Sequence, residues 1–173
     1  MYYDLDDILA DAQKVSCRFN ENVPGLGYLE GNPRGDMEAG TKIDLPFWLA
    51  SVLNLVPAND ENTHTFLEID NPEFVNMKVI NAIKTLPTLV DLHRIAAHYY
   101  ALIIKYCEMY RDEQLVATVM DMLRVRAIEI NNFAFNANRQ VHNDFLHQLD
   151  EWEKSLYKIT LLSNKEMRSW QMQ

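Results

Sequence analysis

Hydrophobic and polar positions follow two different rules along this chain, and the change falls in the middle. In the first half the apolar residues come in short runs interrupted by turns. Lys14-Val15-Ser16-Cys17-Arg18-Phe19 alternates polar and apolar side chains, which predicts a half-buried strand. Residues 27–30, 41–45 and 64–69 read as further short strands. Ahead of them, residues 4–10 predict a short helix with Leu5, Ile8 and Leu9 on one face and carboxylates in its first turn, where they favour the macrodipole. Pro46 suits the first position of a second helix through Phe47, Trp48, Leu49, Val52, Leu53 and Val56. Residues 57–62 are polar and read as a loop.

From Asn71 onward the apolar residues recur every three or four positions, the period of helices packed on one side. Asn71 as cap, Pro72 as first residue and Glu73 after it predict a helix reaching about Lys84. Thr88-Leu89-Val90-Asp91 matches a capping box in its acidic form and predicts one continuous helix from Thr88 to Tyr110. That helix would carry Leu92, Ile95, Tyr99, Ile103, Tyr106 and Tyr110 on one stripe, with Tyr100, Ile104 and Cys107 on a second stripe beside it. A third helix starts at Asp112 or Glu113 and runs through Leu115, Val119, Met122, Ile130 and Phe133. Residues 136–143 are a polar connection, and a last helix spans Asp144 to about Lys165 with Phe145, Leu149, Trp152, Leu156, Ile159 and Leu162.

Glycine and proline sharpen this division. All five glycines lie between positions 25 and 40, and all six prolines lie at or before position 87. With neither residue to punctuate it, the remainder must be helices joined by polar connections. The expected fold class is α+β and mainly helical, with a small β-rich domain of four strands over residues 1–70. A larger helical bundle domain follows over residues 71–173. Charge shifts at the same place: residues 1–87 hold 14 acidic and 6 basic side chains, while residues 88–173 hold 11 and 10.

The overall formal charge of −9 argues against a dedicated nucleic-acid binder, which needs a surplus of Lys and Arg to neutralise phosphates. No apolar run approaches the roughly 20 residues that span a bilayer. The acidic start, with Asp4, Asp6 and Asp7 and no Lys or Arg among residues 1–9, is unlike a secretory or transit segment. Cys17 and Cys107 belong to no Cys-x-x-Cys pair and read as reduced, buried thiols of an intracellular protein.

Several patterns imitate chemistry without its context. Gly35-Asp36-Met37-Glu38-Ala39-Gly40-Thr41-Lys42 has the glycine spacing of a P-loop, but Gly-Thr-Lys replaces Gly-Lys-Thr. Two acidic side chains stand where phosphates would sit, and a strand rather than a helix follows. Asp4, Asp6 and Asp7 lack the glycine and glutamate of a calcium loop, and capping explains them more simply. His93 with His98, and His142 with His147, repeat a five-residue spacing that sets two rings about 140° apart on a helix, a poor chelate for zinc. Neither cysteine has a base nearby in sequence, and no nucleophile elbow is present. Arg124, Arg126 and Arg139 either contact phosphate or balance Asp121 and Glu129 on a solvated helix face. No catalytic residue, metal site or cofactor site is expected.

Longer blocks carry a family resemblance. Tyr2-Tyr3-Asp4-Leu5-Asp6-Asp7-Ile8-Leu9-Ala10, Pro24-Gly25-Leu26-Gly27-Tyr28-Leu29 and Thr41-Lys42-Ile43-Asp44-Leu45-Pro46-Phe47-Trp48-Leu49-Ala50 resemble the third Psf-type family of subunits of the eukaryotic GINS complex. Asn81-Ala82-Ile83-Lys84-Thr85, Asp91-Leu92-His93, the pair Tyr99-Tyr100 and Leu149-Asp150-Glu151-Trp152-Glu153 continue it in order, with Trp152 where that family usually has Met. The resemblance implies a small β-rich domain before a helical one. It also implies a non-catalytic scaffold subunit of a nuclear heterotetramer acting in initiation and elongation of chromosomal DNA replication. The implied partners are the three other GINS subunits, the MCM hexamer with the Cdc-forty-five protein in the replicative helicase, and DNA polymerase epsilon. Direct nucleic-acid contact and membrane contact are not implied. The second apolar stripe exceeds what one bundle needs, so Tyr99, Tyr100, Ile103, Ile104 and Cys107 are the expected partner interface. The alternative is that they pack inside a lone bundle.

Overall fold

The computed structural model describes residues 4–31, 35–58, 64–136 and 144–172. Its architecture is α+β and mainly helical, and the chain divides into two compact units, Met1–Pro72 and Glu73–Gln173. Tyr2, Tyr3, Arg139 and His142 lie outside the described residues, as does most of the polar connection after Asn136.

The first unit is built on an antiparallel sheet in the order β2-β1-β3, with β1 (Lys14–Phe19) central between β2 (Lys42–Pro46) and β3 (Leu67–Ile69). The alternation in β1 does what period two requires: Val15, Cys17 and Phe19 are buried and Lys14 faces water. Cys17 pairs with Ile43 on one side and Ile69 on the other, so its thiol sits mid-sheet, where burial pushes it up to about 11. On the opposite face Arg18 and Lys42 converge on Asp70. The Lys42 ammonium first, then Arg18, holds that carboxyl below its usual range. These exposed pairs add at most about 1 kcal/mol.

Helix α1 (Leu5–Asp11) is capped by Asp4, whose carboxylate accepts from the Asp6 amide at 3.1 Å. Helix α2 (Phe47–Asn54) follows β2 directly and buries Phe47 and Ala50. Pro46 is the last residue of β2 and the cap of α2 rather than its first turn, a place on an edge strand where its missing N–H costs little. The strand expected at residues 27–30 is instead a 3-10 turn, Gly27–Glu30. Gly25 and Gly31 bracket it with φ of 75° and 88°, which curls the chain too tightly for ladder pairing, so the described sheet has three strands, not four.

In the second unit the helix starts move. Glu73–Val75 is a 3-10 turn, and Asn76 rather than Asn71 caps α3 (Met77–Thr85), accepting from the Lys78 amide at 3.1 Å. The continuous helix expected from Thr88 to Tyr110 is broken into a 3-10 turn (Pro87–Leu89), α4 (Leu92–Ile95) and α5 (Tyr99–Tyr110). Tertiary hydrogen bonds explain the break. The Leu92 amide donates to the Gln148 carbonyl at 3.0 Å, and the Ala97 carbonyl accepts from the Glu151 amide at 3.0 Å. A regular helix would spend both groups on itself. Asp112 caps the long α6 (Glu113–Phe135), α7 is Asp144–His147, and Asp150 caps α8 (Glu151–Gln171), which packs along α6. The expected last helix is thus interrupted at residues 148–150, where the backbone turns to pair with α4 and α5.

Candidate interaction surface and its polar centre

The helical unit is organised around a charge pair that no spacing rule suggested. Arg126 on α6 and Glu153 on α8 are both completely buried. Arg126 Nε donates to Glu153 Oε1 at 2.7 Å and Nη2 donates to Oε2 at 2.8 Å, a bidentate fork. The remaining guanidinium hydrogens reach the Pro87 carbonyl at 2.9 Å, Val90 at 3.0 Å and Gln148 at 3.4 Å. Every donor of the guanidinium is therefore used. The Phe145 ring lies 5.3 Å from the guanidinium carbon. Arg126 is thus neither a phosphate contact nor a balance for Glu129, whereas Arg124 does pair with Asp121, at 3.3 Å on the surface.

Tyr100 completes this centre. Its hydroxyl donates to Glu153 Oε1 at 2.8 Å, and burial first, then the nearby Glu153, pushes the phenol far above its ordinary range. Asp150 is also fully buried, with Oδ1 accepting from the Glu153 amide at 2.8 Å and Oδ2 from the Tyr100 amide at 3.3 Å. Burial pushes the Asp150 carboxyl up to about 6, only partly offset by those amides. Because the native pKa lies above the unfolded one, the folded state takes up a proton as pH falls from about 6 toward 4, and this group adds stability in that direction. Chemical unfolding of wild type and Asp150→Asn at pH 7 and pH 5 checks this. The Asn variant is expected to gain on wild type by about 1 kcal/mol at pH 7 relative to pH 5. Equal differences at both values would contradict it.

Of the five residues expected at an interface, Tyr99, Tyr100, Ile103 and Cys107 are buried within the unit, and Ile104 is 59% exposed. The cover comes from irregular segments as well as helices. The Tyr99 hydroxyl donates to the Phe74 carbonyl at 3.4 Å in the 3-10 turn, and Phe74 meets Tyr106 edge-on at 5.8 Å. Trp152 on α8 lies against Tyr100 at 5.5 Å, yet half of it remains exposed.

Beyond Ile104, α8 also leaves apolar side chains uncovered. Trp152, Ile159 and Trp170 are separated by seven and eleven residues, close to whole turns, and so share one line along the helix. Ile159 is 65% and Trp170 75% exposed, with Leu162 exposed beside them. From Lys165 to Met172 every residue of this last stretch is exposed. Between α3 and α4 lies a groove of about 580 Å³ lined by Val79, Ala82, Leu86, Leu89 and Val90, with charged groups of both signs at solvent.

Residues singled out for chemistry take structural roles. The Asp36 carboxylate within the P-loop-like stretch accepts from the Gly25 amide at 2.9 Å, and a turn and β2, not a helix, follow Gly40. His93 on α4 faces Lys154 and Glu151 of α8 at the surface, while His98 precedes α5. Among the described residues no three His, Cys, Asp or Glu side chains form a metal-holding group, and no helix is long and apolar enough to cross a membrane.

These features define an α+β protein with a small sheet unit and a helical bundle centred on a buried ion pair. Comparison with known proteins places it more closely. The PSF3 N-terminal domain family matches residues 3–55, and the GINS complex protein helical bundle domain matches residues 74–172. The DNA replication complex GINS protein PSF3 of Debaryomyces hansenii and that of Candida albicans are each 50% identical to this chain over 169 residues, covering 98% of it and 96% of the relative. The protein of the same name from Saccharomyces cerevisiae is 37% identical over 188 residues, covering 98% and 97%. The chain belongs to the PSF3 family of DNA replication complex GINS proteins.

Proposed function

We propose that this protein is a non-catalytic scaffold subunit of the heterotetrameric GINS complex, acting in the nucleus in initiation and elongation of chromosomal DNA replication. Its partners are the three other GINS subunits and, through the assembled complex, the MCM hexamer with the Cdc-forty-five protein and DNA polymerase epsilon. Residues 1–70 and 71–173 serve as its two domains. The observation that carries this reading is the apolar line Trp152, Ile159 and Trp170 on α8, which its own chain leaves in water. Exposed apolar faces of this kind mark surfaces that another chain covers. Ile104 belongs to the same interface, with Tyr99, Tyr100, Ile103 and Cys107 as the packed layer that holds α5 rigid beneath it. Direct DNA contact is the lesser reading, because residues 73–173 carry 12 acidic and 12 basic side chains and residues 1–72 carry 13 and 4.

Co-expression with the three other GINS subunits tests the reading. Ile104→Asp is expected to weaken co-purification about tenfold or more, with helix content unchanged, as for burial of a charge in an interface. Unchanged assembly would remove Ile104 from the interface. Salt-dependent affinity of the wild-type chain for duplex DNA in the micromolar range or tighter would favour the DNA-contacting reading instead.

A further inference from the structure

We propose that the apolar face shared by α1 and α2 is a docking surface for a second protein whose contact region has an apolar centre ringed by Lys and Arg, a different occupant from the chains that cover α8. Helix α1 buries only Ala10 within its own unit and presents Leu5, Ile8 and Leu9 to solvent within an arc of about 100°. It packs on α2, and the Phe47 amide at the start of α2 donates to the Gln13 carbonyl at 2.8 Å just after α1. Trp48 and Val52 on α2 and Leu55 at its C-cap recur at four and three residues and are likewise exposed, Leu55 to 75%. A seven-residue helix that buries one alanine has little reason of its own to keep an apolar stripe in water.

Charge selects the occupant. Residues 4–13 hold four aspartates and no basic residue, residues 47–58 hold no charge at all, and the unit as a whole carries 13 acidic against 4 basic side chains. Lys14 stands at the junction of the two helices, but the four aspartates outnumber it, and an apolar patch with a net acidic border attracts a surface with a basic border and steers it from a distance. A second copy of this chain would bring the same aspartates into opposition. Nucleic acid and anionic lipid would be repelled by them. The α8 face differs in kind: Lys154, Lys158, Lys165 and Arg168 are interspersed with Glu151 and Glu166, so it offers no single-sign border. Two faces with different electrostatic codes discriminate between different partners.

The test uses the complex co-expressed with the three other GINS subunits, and relies on the subunit reading only for that preparation. Assembly is scored first by size exclusion. If the wild-type complex fails to form, the subunit reading falls and the titration is made on the full chain alone. The probe is a dye-labelled fifteen-residue helical peptide with a Leu/Trp stripe flanked by lysines, and its control is the twin with glutamates for the lysines. The lysine peptide is expected to bind, to lose about tenfold in affinity between low and near-physiological salt, and to lose as much again on Leu55→Asp or Asp7→Lys/Asp11→Lys. The glutamate twin is expected not to bind. Equal binding of both peptides, no binding of either, or variants that bind as wild type would overturn the proposal. Loss of four-chain assembly in Leu55→Asp would also overturn it, by assigning the face to another GINS subunit.

Discussion

Replacing Arg126 with Met is expected to destabilise the helical unit by about 3–5 kcal/mol, the cost typical of leaving one partner of a buried ion pair uncompensated. The substitution strands the Glu153 carboxylate, which is completely buried and, among the described residues, keeps the Tyr100 hydroxyl as its remaining side-chain donor. It also removes the donor serving the carbonyls of Pro87, Val90 and Gln148, and with it the tie between α6 and the segments before α4 and α8. Against the 5–15 kcal/mol that typically separates folded from unfolded chains, this is about a third or more of the stability of a typical domain. The double variant Arg126→Met/Glu153→Leu is expected to recover part of the loss, since no buried charge remains. Recovery is incomplete because the Tyr100 hydroxyl and the Pro87 and Val90 carbonyls lose their partners, whereas the Gln148 carbonyl keeps the Leu92 amide. Urea unfolding followed by helix content measures both. A loss below about 1 kcal/mol for the single variant would mean that water, not Glu153, satisfies Arg126.

The second large effect is on assembly rather than stability. Ile159→Asp/Trp170→Asp places two carboxylates on the bare line of α8, where neither side chain contributes to the core of its own unit. Unfolding is expected to shift by less than about 0.5 kcal/mol, as for surface substitutions elsewhere. Association with the other GINS subunits is expected to fall by two orders of magnitude or more, because a fully desolvated apolar or aromatic anchor is typically worth 2 kcal/mol or more and two are removed. A double variant that assembles normally would place the contact elsewhere on the helical unit. One that unfolds would show that α8 depends on these side chains for its own packing.

Where local chemistry decides structure, the sequence was readable. The alternation at residues 14–19 became the central strand, and the helix expected to start at Asp112 or Glu113 starts at Glu113, with Asp112 as its cap. Where distant groups decide, it was not. Thr88 offered a capping box, but the chain there yields its carbonyls to Arg126 and its amide at Leu92 to Gln148, partners 36 to 56 residues away. The family resemblance rested on blocks that span both units, and the matches at residues 3–55 and 74–172 cover the same ground.

Arg126 and Glu153 went unrecognised because i,i+3 and i,i+4 rules look only along one helix. Their positions nevertheless carried a signal. Arg126 lies four residues after Met122 and four before Ile130, and Glu153 lies four after Leu149 and three before Leu156, so each charge stands inside an apolar stripe. Helices are not the only lids over the apolar stripes of α5. Turns at residues 73–75 and 148–150 cover Tyr99 and the Tyr100 centre as well, while Ile104 and the Trp152, Ile159 and Trp170 line of α8 stay exposed.

The central claim is that this chain is one of four in an assembly that its helical unit holds together. Its most direct test is the mass of the species obtained on co-expression with the three other GINS subunits, measured by light scattering at micromolar concentration beside the chain expressed alone. The account predicts a single species containing one copy of each chain, and for the lone chain self-association or poor solubility. A lone chain that is monodisperse, unfolds cooperatively as a monomer and shows no affinity for the other subunits would contradict it.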